Sequence, residues 1–212
     1  MVDEIRADRH SVHREIVLCA HQEMENPLPD LVKFVRGTTL ADENLHLRAG
    51  VAQAHTIIVF GEDDGETLTA GLAAAALNQS AHHVAYFRDK ASAKLYKAHC
   101  KKSEAVVSVG VEIVVRAAQD PGSSRVIHDL LSSVEGQFEV SLQVPAHLPP
   151  MRYDDLLLAL KRDNSVTLIG VAGNAYDAQI HLNAKGSRMV QPGDVLYLIA
   201  PRRVDAAEIK WP

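Results

Sequence analysis

His55-Thr-Ile-Ile-Val-Phe60, followed by the acidic turn Gly61-Glu-Asp-Asp-Gly65, is the stretch that decides the fold of this 212-residue chain. Its first six residues have a continuously apolar, β-branched centre, which is typical of a parallel strand buried on both faces. Residues 66–78 are rich in alanine and leucine, and they predict a helix whose small side chains allow close packing on a sheet. A buried strand, a turn and a helix in this order indicate one unit of a doubly wound α/β fold.

Further units of the same kind lie on both sides. Upstream, the sequence predicts a strand at 15–20 and a helix at 39–49. Downstream, it predicts a strand at 83–87, a helix at 92–100 and a strand at 105–108. The alternation of strands and helices at this spacing predicts a parallel, Rossmann-like sheet.

The segment between the first strand and the first helix leaves two interpretations open. Residues 31–34 favour a short helix with Asp30 as its N-terminal cap, whereas residues 34–36 favour the next strand of the sheet, closed by Gly37. Residues 1–14 are polar and charged, and we expect them to be frayed.

The beginning of the sheet lacks the signature of a nucleotide-binding unit. Such a unit opens with a strand and a glycine-rich turn whose amides hold a pyrophosphate, and no GxGxxG occurs in the chain. Either the fold is degenerate, or its first strand and helix lie upstream of Met1. We favour the second interpretation, because a sheet that starts at residue 15 leaves an apolar strand without its neighbour. A nucleotide site is therefore doubtful for this chain.

Beyond residue 108 the pattern changes. Apolar helices are predicted at 109–118 and 125–134, joined by Asp120-Pro-Gly-Ser-Ser124, where residues 122–124 supply a turn and a helix cap. Two amphipathic helices joined in this way form an αα-hairpin, and its apolar face needs another surface to cover it. We assign residues 1–108 to a Rossmann-like lobe, 109–135 to a crossover helix-turn-helix that mediates dimerisation, and 136–212 to a small α+β lobe.

The small lobe has its own pattern of strands and one helix. Two acidic residues occupy the first turn of the predicted helix, where they complement its dipole. The helix is expected at 153–162, and the strands at 139–144, 165–172, 179–182 and 195–200.

Composition excludes several classes of function. The net charge is −5 and no basic stripe is present, which argues against a nucleic-acid partner; the basic segment 90–102 is interpreted as a solvated helix face. Two cysteines are too few for a disulfide framework. No signal peptide opens the chain, and its longest apolar stretch, 69–77, is far shorter than the roughly 20 residues of a membrane helix. We expect a soluble polypeptide.

Acidic residues cluster where the decisive strand ends. Glu62, Asp63, Asp64 and Glu66 follow it directly, and open α/β sheets place ligands at the carboxyl ends of their strands. Asp89, at the tip of the next strand, adds a further carboxylate. Carboxylate oxygens suit calcium or another divalent cation, and the sequence offers Asp64 and Asp89 as its ligands.

The same carboxylates have a structural interpretation, which stays open here. Asp64 could cap the following helix while Glu66 complements the helix dipole. Asp89 could lie in a solvated loop and pair with Arg88 or Lys90.

Histidine and cysteine patterns do not predict a metal centre or a nucleophile. His10 and His13 have a ligand-like spacing but lie in the polar tail, and the adjacent His82 and His83 point to opposite faces of a strand. Cys19 and Cys100 have no activating context, and no GxSxG elbow is present. We therefore expect no catalytic activity.

Taken in order, four stretches resemble the RCK family, the regulators of potassium conductance. They are 45–54, 57–67 with the decisive strand and acidic turn, 111–131 with Gln119-Asp-Pro-Gly122, and 166–200 with Val190-Gln-Pro-Gly-Asp-Val195. Together they cover almost the whole chain after residue 15.

The resemblance implies a ligand-sensing gating module of a potassium channel, held in the cytoplasm at the inner face of the membrane. Family members pair through the crossover hairpin and assemble from dimers into octameric rings attached to the pore domain. The expected interface residues are Val111, Ile113, Val114, Val115, Val126, Ile127 and Leu130. A separate regulatory subunit of a potassium transporter is the alternative, and a nucleotide-binding enzyme of the Rossmann class is a more distant one.

The resemblance also bears on the ligand, since family members bind calcium or nucleotides. Phe60, Tyr86 and Arg88 stand where calcium-binding members carry carboxylates, and Thr38 stands where nucleotide-binding members carry an aspartate. The ligand of this chain is therefore left open, with Asp64 and Asp89 proposed for calcium on local grounds.

Overall fold

A computed structural model describes residues 1–7, 13–132, 137–176 and 179–212. The chain divides into two units. The N-terminal lobe comprises Arg14–Glu112, and the C-terminal lobe comprises Met1–His13 together with Ile113–Pro212. His10 and the predicted end of the second hairpin helix beyond residue 132 lie outside the described residues.

The N-terminal lobe alternates strands and helices, as the sequence predicts. A single turn of 3-10 helix, Val51–Gln53, precedes its third strand. Its elements are β1 (Val17–Ala20), β2 (Lys33–Arg36), α2 (Glu43–Ala49), β3 (Thr56–Val59), α3 (Asp64–Leu77), β4 (His82–Phe87), α4 (Lys90–His99) and β5 (Ser103–Val107).

All strand pairs of this lobe are parallel, which confirms the prediction of a Rossmann-like sheet, but they form two ladders instead of one. Strand β1 pairs with β2, and β3, β4 and β5 form a separate three-stranded sheet in that order. In the doubly wound strand order 3-2-1-4-5-6 the first strand lies at the centre. Among the described residues, no strand lies between β1 and β3 to join the two ladders.

Helices α3 and α4 cover one face of the three-stranded sheet. Ala85 and Phe87 of β4 are fully buried beneath them, and the Phe87 ring contacts that of Tyr96 on α4 at a centroid distance of 5.6 Å. A Cβ atom at Gly71 of α3 would lie 2.8 Å from the Tyr96 ring. The glycine therefore permits the close approach of the two helices.

Several predicted boundaries of this lobe need correction. Residues 33–36 form a strand, so the helical interpretation of residues 31–34 is wrong: main-chain hydrogen bonds to Leu28 close a turn there, and β2 then pairs with β1. Helix α2 begins at Glu43, not at residue 39, because the Asp42 carboxylate caps it by accepting a hydrogen bond from the Asn44 amide.

The C-terminal lobe begins with a helix that the sequence did not predict. Residues 1–14 were expected to be frayed, but α1 (Val2–Ala7) is helical, with two acidic residues in its first turn and Arg6 in its last. That placement of charge complements the helix dipole. The other elements are α5 (Gly110–Gln119), which crosses the boundary between the units, α6 (Ser123–Leu131), β6 (Phe138–Gln143), β7 (Met151–Arg152), α7 (Tyr153–Asn164), β8 (Thr167–Ala172), β9 (His181–Leu182), β10 (Met189–Val190) and β11 (Val195–Ala200).

Strands β6, β11, β8 and β9 form an antiparallel sheet in that order, and β7 pairs with β10. Helix α7 packs against the sheet, and Leu156, Leu160, Leu196 and Leu198 are fully buried between them. The predicted turn and cap at residues 122–124 contains the observed N-cap, but α6 begins at Ser123 and not at residue 125. Gly122 is that N-cap, with φ 96°, a left-handed conformation that favours glycine.

Among the described residues, no helix combines the length and the apolar character needed to cross a bilayer.

Candidate functional site

The acidic turn after β3 is organised around the start of α3. Asp63, not Asp64, caps this helix: its carboxylate accepts a hydrogen bond from the Glu66 amide at 2.8 Å. The Glu66 carboxylate reaches back and accepts a hydrogen bond from the Glu62 amide at 2.7 Å. The bond to Asp63 satisfies a main-chain donor of the first helical turn, and the bond to Glu66 satisfies the amide of the residue before the cap.

Asp64 connects the carboxyl ends of β3 and β4. Its side chain is only 15% exposed, and its two oxygens accept hydrogen bonds from the amides of Arg88 and Asp89 at 2.8 and 2.9 Å. The Arg88 guanidinium lies 3.8 Å from the same carboxylate. The structure therefore brings Asp64 and Asp89 together, as the metal hypothesis requires, but gives Asp64 main-chain partners.

Asp89 caps α4 and does not lie in a free loop. One carboxylate oxygen accepts hydrogen bonds from the amides of Ala91 and Ser92, and the other accepts one from the Ser92 hydroxyl at 2.7 Å. The hydrogen bonds from the Ser92 hydroxyl and amide, followed by one shared with Asp64, hold the pKa of Asp89 well below its usual range. The neighbouring Lys90 pairs with Glu112 instead, at 3.8 Å.

A histidine from the end of β1 completes the cluster. His21 Nδ1 lies 3.1 Å from the Glu66 carboxylate and its Nε2 lies 4.0 Å from that of Glu62. The adjacent Gln22 donates a hydrogen bond to Glu62. Sequence reasoning assigned His21 no role. The available signal was its place one residue after a parallel strand, because the carboxyl ends of parallel strands meet at one edge.

The five predicted ligand residues therefore lie at one edge, with their carboxylates engaged in internal hydrogen bonds and ion pairs. No group of three or more histidine, cysteine, aspartate or glutamate side chains is arranged around a common metal position in the part of the chain that the structure describes. A divalent cation here would have to recruit Asp64 and Asp89 away from these partners, or use main-chain oxygens.

Aromatic side chains lie beside the carboxylates. The rings of Phe60 and Tyr86 stack with centroids 4.7 Å apart and an interplanar angle of 19°, and Phe60 is 54% exposed. They stand at two of the positions where the resemblance places calcium ligands, and they supply no carboxylate. The stack instead forms an exposed apolar surface at the ends of β3 and β4.

The other chemically notable side chains have structural surroundings. His83 is buried and lies 2.6 Å from the Asn78 carbonyl oxygen, whereas His82 lies 3.3 Å from Glu104, so the two histidines do face opposite sides. Burial raises the pKa of both thiols, Cys19 and Cys100. A raised pKa disfavours the reactive thiolate.

The predicted interface residues divide into two groups. Ile113, Ile127 and Leu130 are half-buried. Val111, Val114, Val115 and Val126 are exposed, by 75, 69, 50 and 60%. Val111, Val114 and Val115 follow the i, i+3, i+4 spacing, so they share one face of α5. This face is an uncovered apolar stripe in the structure.

Comparison with known proteins finds solved structures with the same architecture. No known family model and no curated protein sequence matches the chain. Among solved structures, the human SLO3 gating ring superposes with a TM-score of 0.68 and 12% sequence identity over 94% of this chain and 42% of that chain. The chain thus spans less than half the length of that protein.

Two further structures are more distant. The GsuK RCK domain, with 38% of its chain covered, and the GsuK channel bound to NAD, with 31% covered, each share 18% identity over 87% of this chain. Their TM-scores are 0.43 and 0.42, so the fold assignment depends on the gating-ring match. With its parallel N-terminal sheet, helical hairpin and small antiparallel lobe, the chain shares the fold of the SLO3 gating ring.

Proposed function

We propose that this chain is a ligand-sensing regulatory module of a potassium channel, which contributes to a gating ring at the cytoplasmic face of the membrane. The observation that carries the proposal is the uncovered apolar stripe on α5, within a chain that has the fold of a gating ring. Ligand binding that favours one ring conformation shifts the conformational equilibrium and thereby the pore.

The α5 stripe has the chemistry of a self-association surface. Burial of each exposed valine contributes up to about 1.5–3 kcal/mol, whereas a valine left in water contributes nothing of this kind. Glu112, Arg116 and Asp120 are charged residues of the same segment, and Arg116 pairs with Asp120 at 3.6 Å. A surface with an apolar stripe bordered by charged residues is typical of an interface core with a polar rim.

The proposed ligand is calcium or another divalent cation, held by Asp64 and Asp89. Both carboxylates lie at the carboxyl end of a parallel sheet, and both are tied to helix starts and strand ends. A cation that drew them away from these partners would move the ends of β3 and β4. This is a physical route from binding to conformation.

A separate regulatory subunit of a potassium transporter is the second candidate, since the same fold and hairpin would serve it. The exposed stripe favours self-association in either case. An enzyme is the least supported candidate, because neither thiol has the lowered pKa of a nucleophile. We propose that the chain has no catalytic activity.

The experiment that tests the proposal is the mass in solution by light scattering, with calcium and with a chelator. The wild-type chain is expected to be a dimer or a larger ring, and Val114→Asp is expected to be monomeric. Leu158→Asp is the matched control, because Leu158 is 63% exposed on α7, outside the hairpin. A monomeric wild type, or a Val114→Asp variant of unchanged mass, contradicts the self-association. If neither the mass nor the thermal midpoint of the wild-type chain responds to calcium, the proposed cation site is contradicted.

A further inference from the structure

Basic side chains are concentrated in one short segment of the N-terminal lobe. Residues 88–102 contain six of the 22 lysines and arginines of the chain and a single acidic residue, Asp89. The segment therefore carries a net charge of +5, although the whole chain carries −5. The six basic residues form the α4 basic patch, which consists of Arg88, Lys90, Lys94, Lys97, Lys101 and Lys102.

The lysines of the patch line one side of α4. Lys90, Lys94 and Lys97 are separated by four and three residues, a spacing that places side chains on one face of a helix. Lys90 and Lys94 are exposed, and Lys97 is half-buried. Lys101 and Lys102 are exposed in the turn that follows the helix. The positive surface therefore continues beyond the end of α4.

The stability of α4 does not explain this arrangement. Lys90 is the first residue of the helix, where the helix dipole disfavours a cation. Lysines three and four positions apart also repel each other on a helix. Of the three, only Lys97 lies in the last turn, where a cation is favourable. The patch therefore opposes local stability, and such conflicts are expected at functional surfaces.

The patch is only partly neutralised within the protein. Arg88 and Lys90 each have one carboxylate, at 3.8 Å. Among the described residues, no carboxylate lies within 4.0 Å of Lys94, Lys101 or Lys102. An anionic partner can therefore bind these three lysines without displacing an internal ion pair.

A row of apolar residues runs beside the lysines. Ala91, Leu95 and Ala98 follow the same spacing one position further along, and all three are exposed, Leu95 by 47%. Ala93 and Tyr96, by contrast, are buried in the core of the lobe. The outer side of α4 thus presents a basic row next to an apolar one, a combination typical of helices that lie in the plane of a membrane interface.

An anionic bilayer fits these features better than a nucleic acid does. Single-stranded nucleic acids are bound by exposed aromatic rings, and Tyr96, the only aromatic residue in 88–102, is fully buried. Lipid headgroups form a plane of charge and require no ring or groove. Because the segment carries +5 and the chain −5, the other residues together carry −10. This asymmetry orients the patch toward a negatively charged surface.

We propose that the α4 basic patch binds the surface of a bilayer that contains anionic phospholipids, with its lysines at the headgroups and Leu95 at the boundary with the acyl chains. The cytoplasmic leaflet of cell membranes has this negative charge. The inference rests on the proposed function for the location of the chain at that leaflet. It makes membrane charge a second input to the module, beside the proposed cation.

Vesicle flotation with the full chain tests the proposal. Vesicles of equal parts phosphatidylcholine and phosphatidylserine are expected to carry the protein upward at about 0.1 M salt. Vesicles of phosphatidylcholine alone are expected to leave it behind. At about 1 M salt the screening length falls from about 10 Å to about 3 Å, and binding is expected to be lost. Inorganic phosphate at the concentration of the lipid phosphate is expected not to compete, which distinguishes a bilayer from a free anion.

Two triple variants with equal net charge supply the matched comparison. Each lysine near an anionic surface strengthens binding about fivefold. Replacing the three lysines without a carboxylate partner is therefore expected to weaken binding about one hundredfold. The control replaces three exposed lysines of the C-terminal lobe and is expected to keep the wild-type affinity. The test variant is Lys94→Gln with Lys101→Gln and Lys102→Gln, and the control is Lys161→Gln with Lys185→Gln and Lys210→Gln.

Four results would overturn the proposal. The first is a wild-type protein that does not bind the phosphatidylserine vesicles, and the second is equal affinity of the two triple variants. Equally strong binding to phosphatidylcholine alone would assign the contact to the apolar row instead of the charge. Tighter binding to single-stranded DNA of mixed sequence than to vesicles would identify a nucleic acid as the partner.

Failure of this inference is distinguishable from failure of the proposed function. The lysine test variant is expected to keep the wild-type mass in light scattering, because its substitutions lie outside the α5 stripe. Loss of vesicle binding with unchanged mass therefore concerns the patch alone.

Discussion

The two lobes bury their apolar residues to different extents. Among the described residues of the C-terminal lobe, sixteen buried ones form one core, from Val140 on β6 to Ile209 near the C-terminus. The corresponding cluster of the N-terminal lobe has six, and three of these are alanines. The N-terminal lobe is therefore expected to be the less stable of the two.

The difference follows from the two kinds of sheet. An antiparallel sheet needs cover on one face only, and α7 provides it in the C-terminal lobe. A parallel sheet is normally buried on both faces, yet the three-stranded sheet has helices on one face and an open edge at β3. The apolar residues on the uncovered face of this sheet, Ile58, Phe60 and Val106, consequently remain about half exposed. The comparison teaches that a parallel sheet with helices on one face only leaves a smaller core than an antiparallel sheet whose apolar face is covered.

The largest expected effect is in the C-terminal core. Leu196→Ala removes a fully buried side chain from β11 and is expected to destabilise this lobe by roughly 2–5 kcal/mol. Trp211, the single tryptophan, packs against the same core, so its fluorescence during urea unfolding follows this lobe selectively. Leu158→Ala, on an exposed site of α7, is the control and is expected to change stability by less than about 0.5 kcal/mol. Equal losses of stability in both variants would contradict a single well-packed core in the C-terminal lobe.

A smaller effect is expected at the start of α3. Asp63→Ala removes the helix cap and is expected to cost about 0.5–2 kcal/mol, measured by circular dichroism in urea. Asp63→Asn keeps an acceptor and is expected to recover most of that loss. The tryptophan signal is expected to be unchanged in both variants, because the cap belongs to the N-terminal lobe. If the circular dichroism and the tryptophan fluorescence shift together, the two lobes unfold as one unit, and their stabilities cannot be compared separately.

The smallest effect is a pH dependence at Asp89. Its pKa is lowered in the folded state from an ordinary 3.8, so its contribution to stability is complete above about pH 4 and is lost as the pH falls through the lowered value. Asp89→Asn keeps a capping side chain without a charge. It is expected to flatten the acid limb of the stability profile of the N-terminal lobe below about pH 4. An unchanged acid limb would assign the pH dependence to other carboxylates.

Much of the fold could be predicted from local patterns. The apolar run at 55–60, the helix after it and the alternation up to residue 108 predicted the parallel lobe correctly, because strand and helix periodicities are written directly in the sequence. Short elements without a periodicity, such as β7 and β10 with two residues each, could not be found in this way. They exist only because distant segments meet.

The acidic site shows the same limit. That Asp64 and Asp89 lie close together could be predicted, since they follow neighbouring strands, but their hydrogen bonds and the contact of His21 with Glu66 could not. Which of two adjacent aspartates caps α3 depends on the path of the chain out of β3, and a shift of one residue turns a side chain by about a third of a helical turn. The role of His21 depends on a contact between residues 45 positions apart in the chain.

The sequence by itself determined that the chain folds as a parallel α/β lobe, a helical hairpin and a small α+β lobe, because secondary structure and burial leave periodic signals. Only the tertiary structure decided where the sheet is interrupted, which aspartate caps which helix and which valines of α5 stay exposed. These outcomes depend on strand order and on distances between segments far apart in the chain, and no local pattern encodes them.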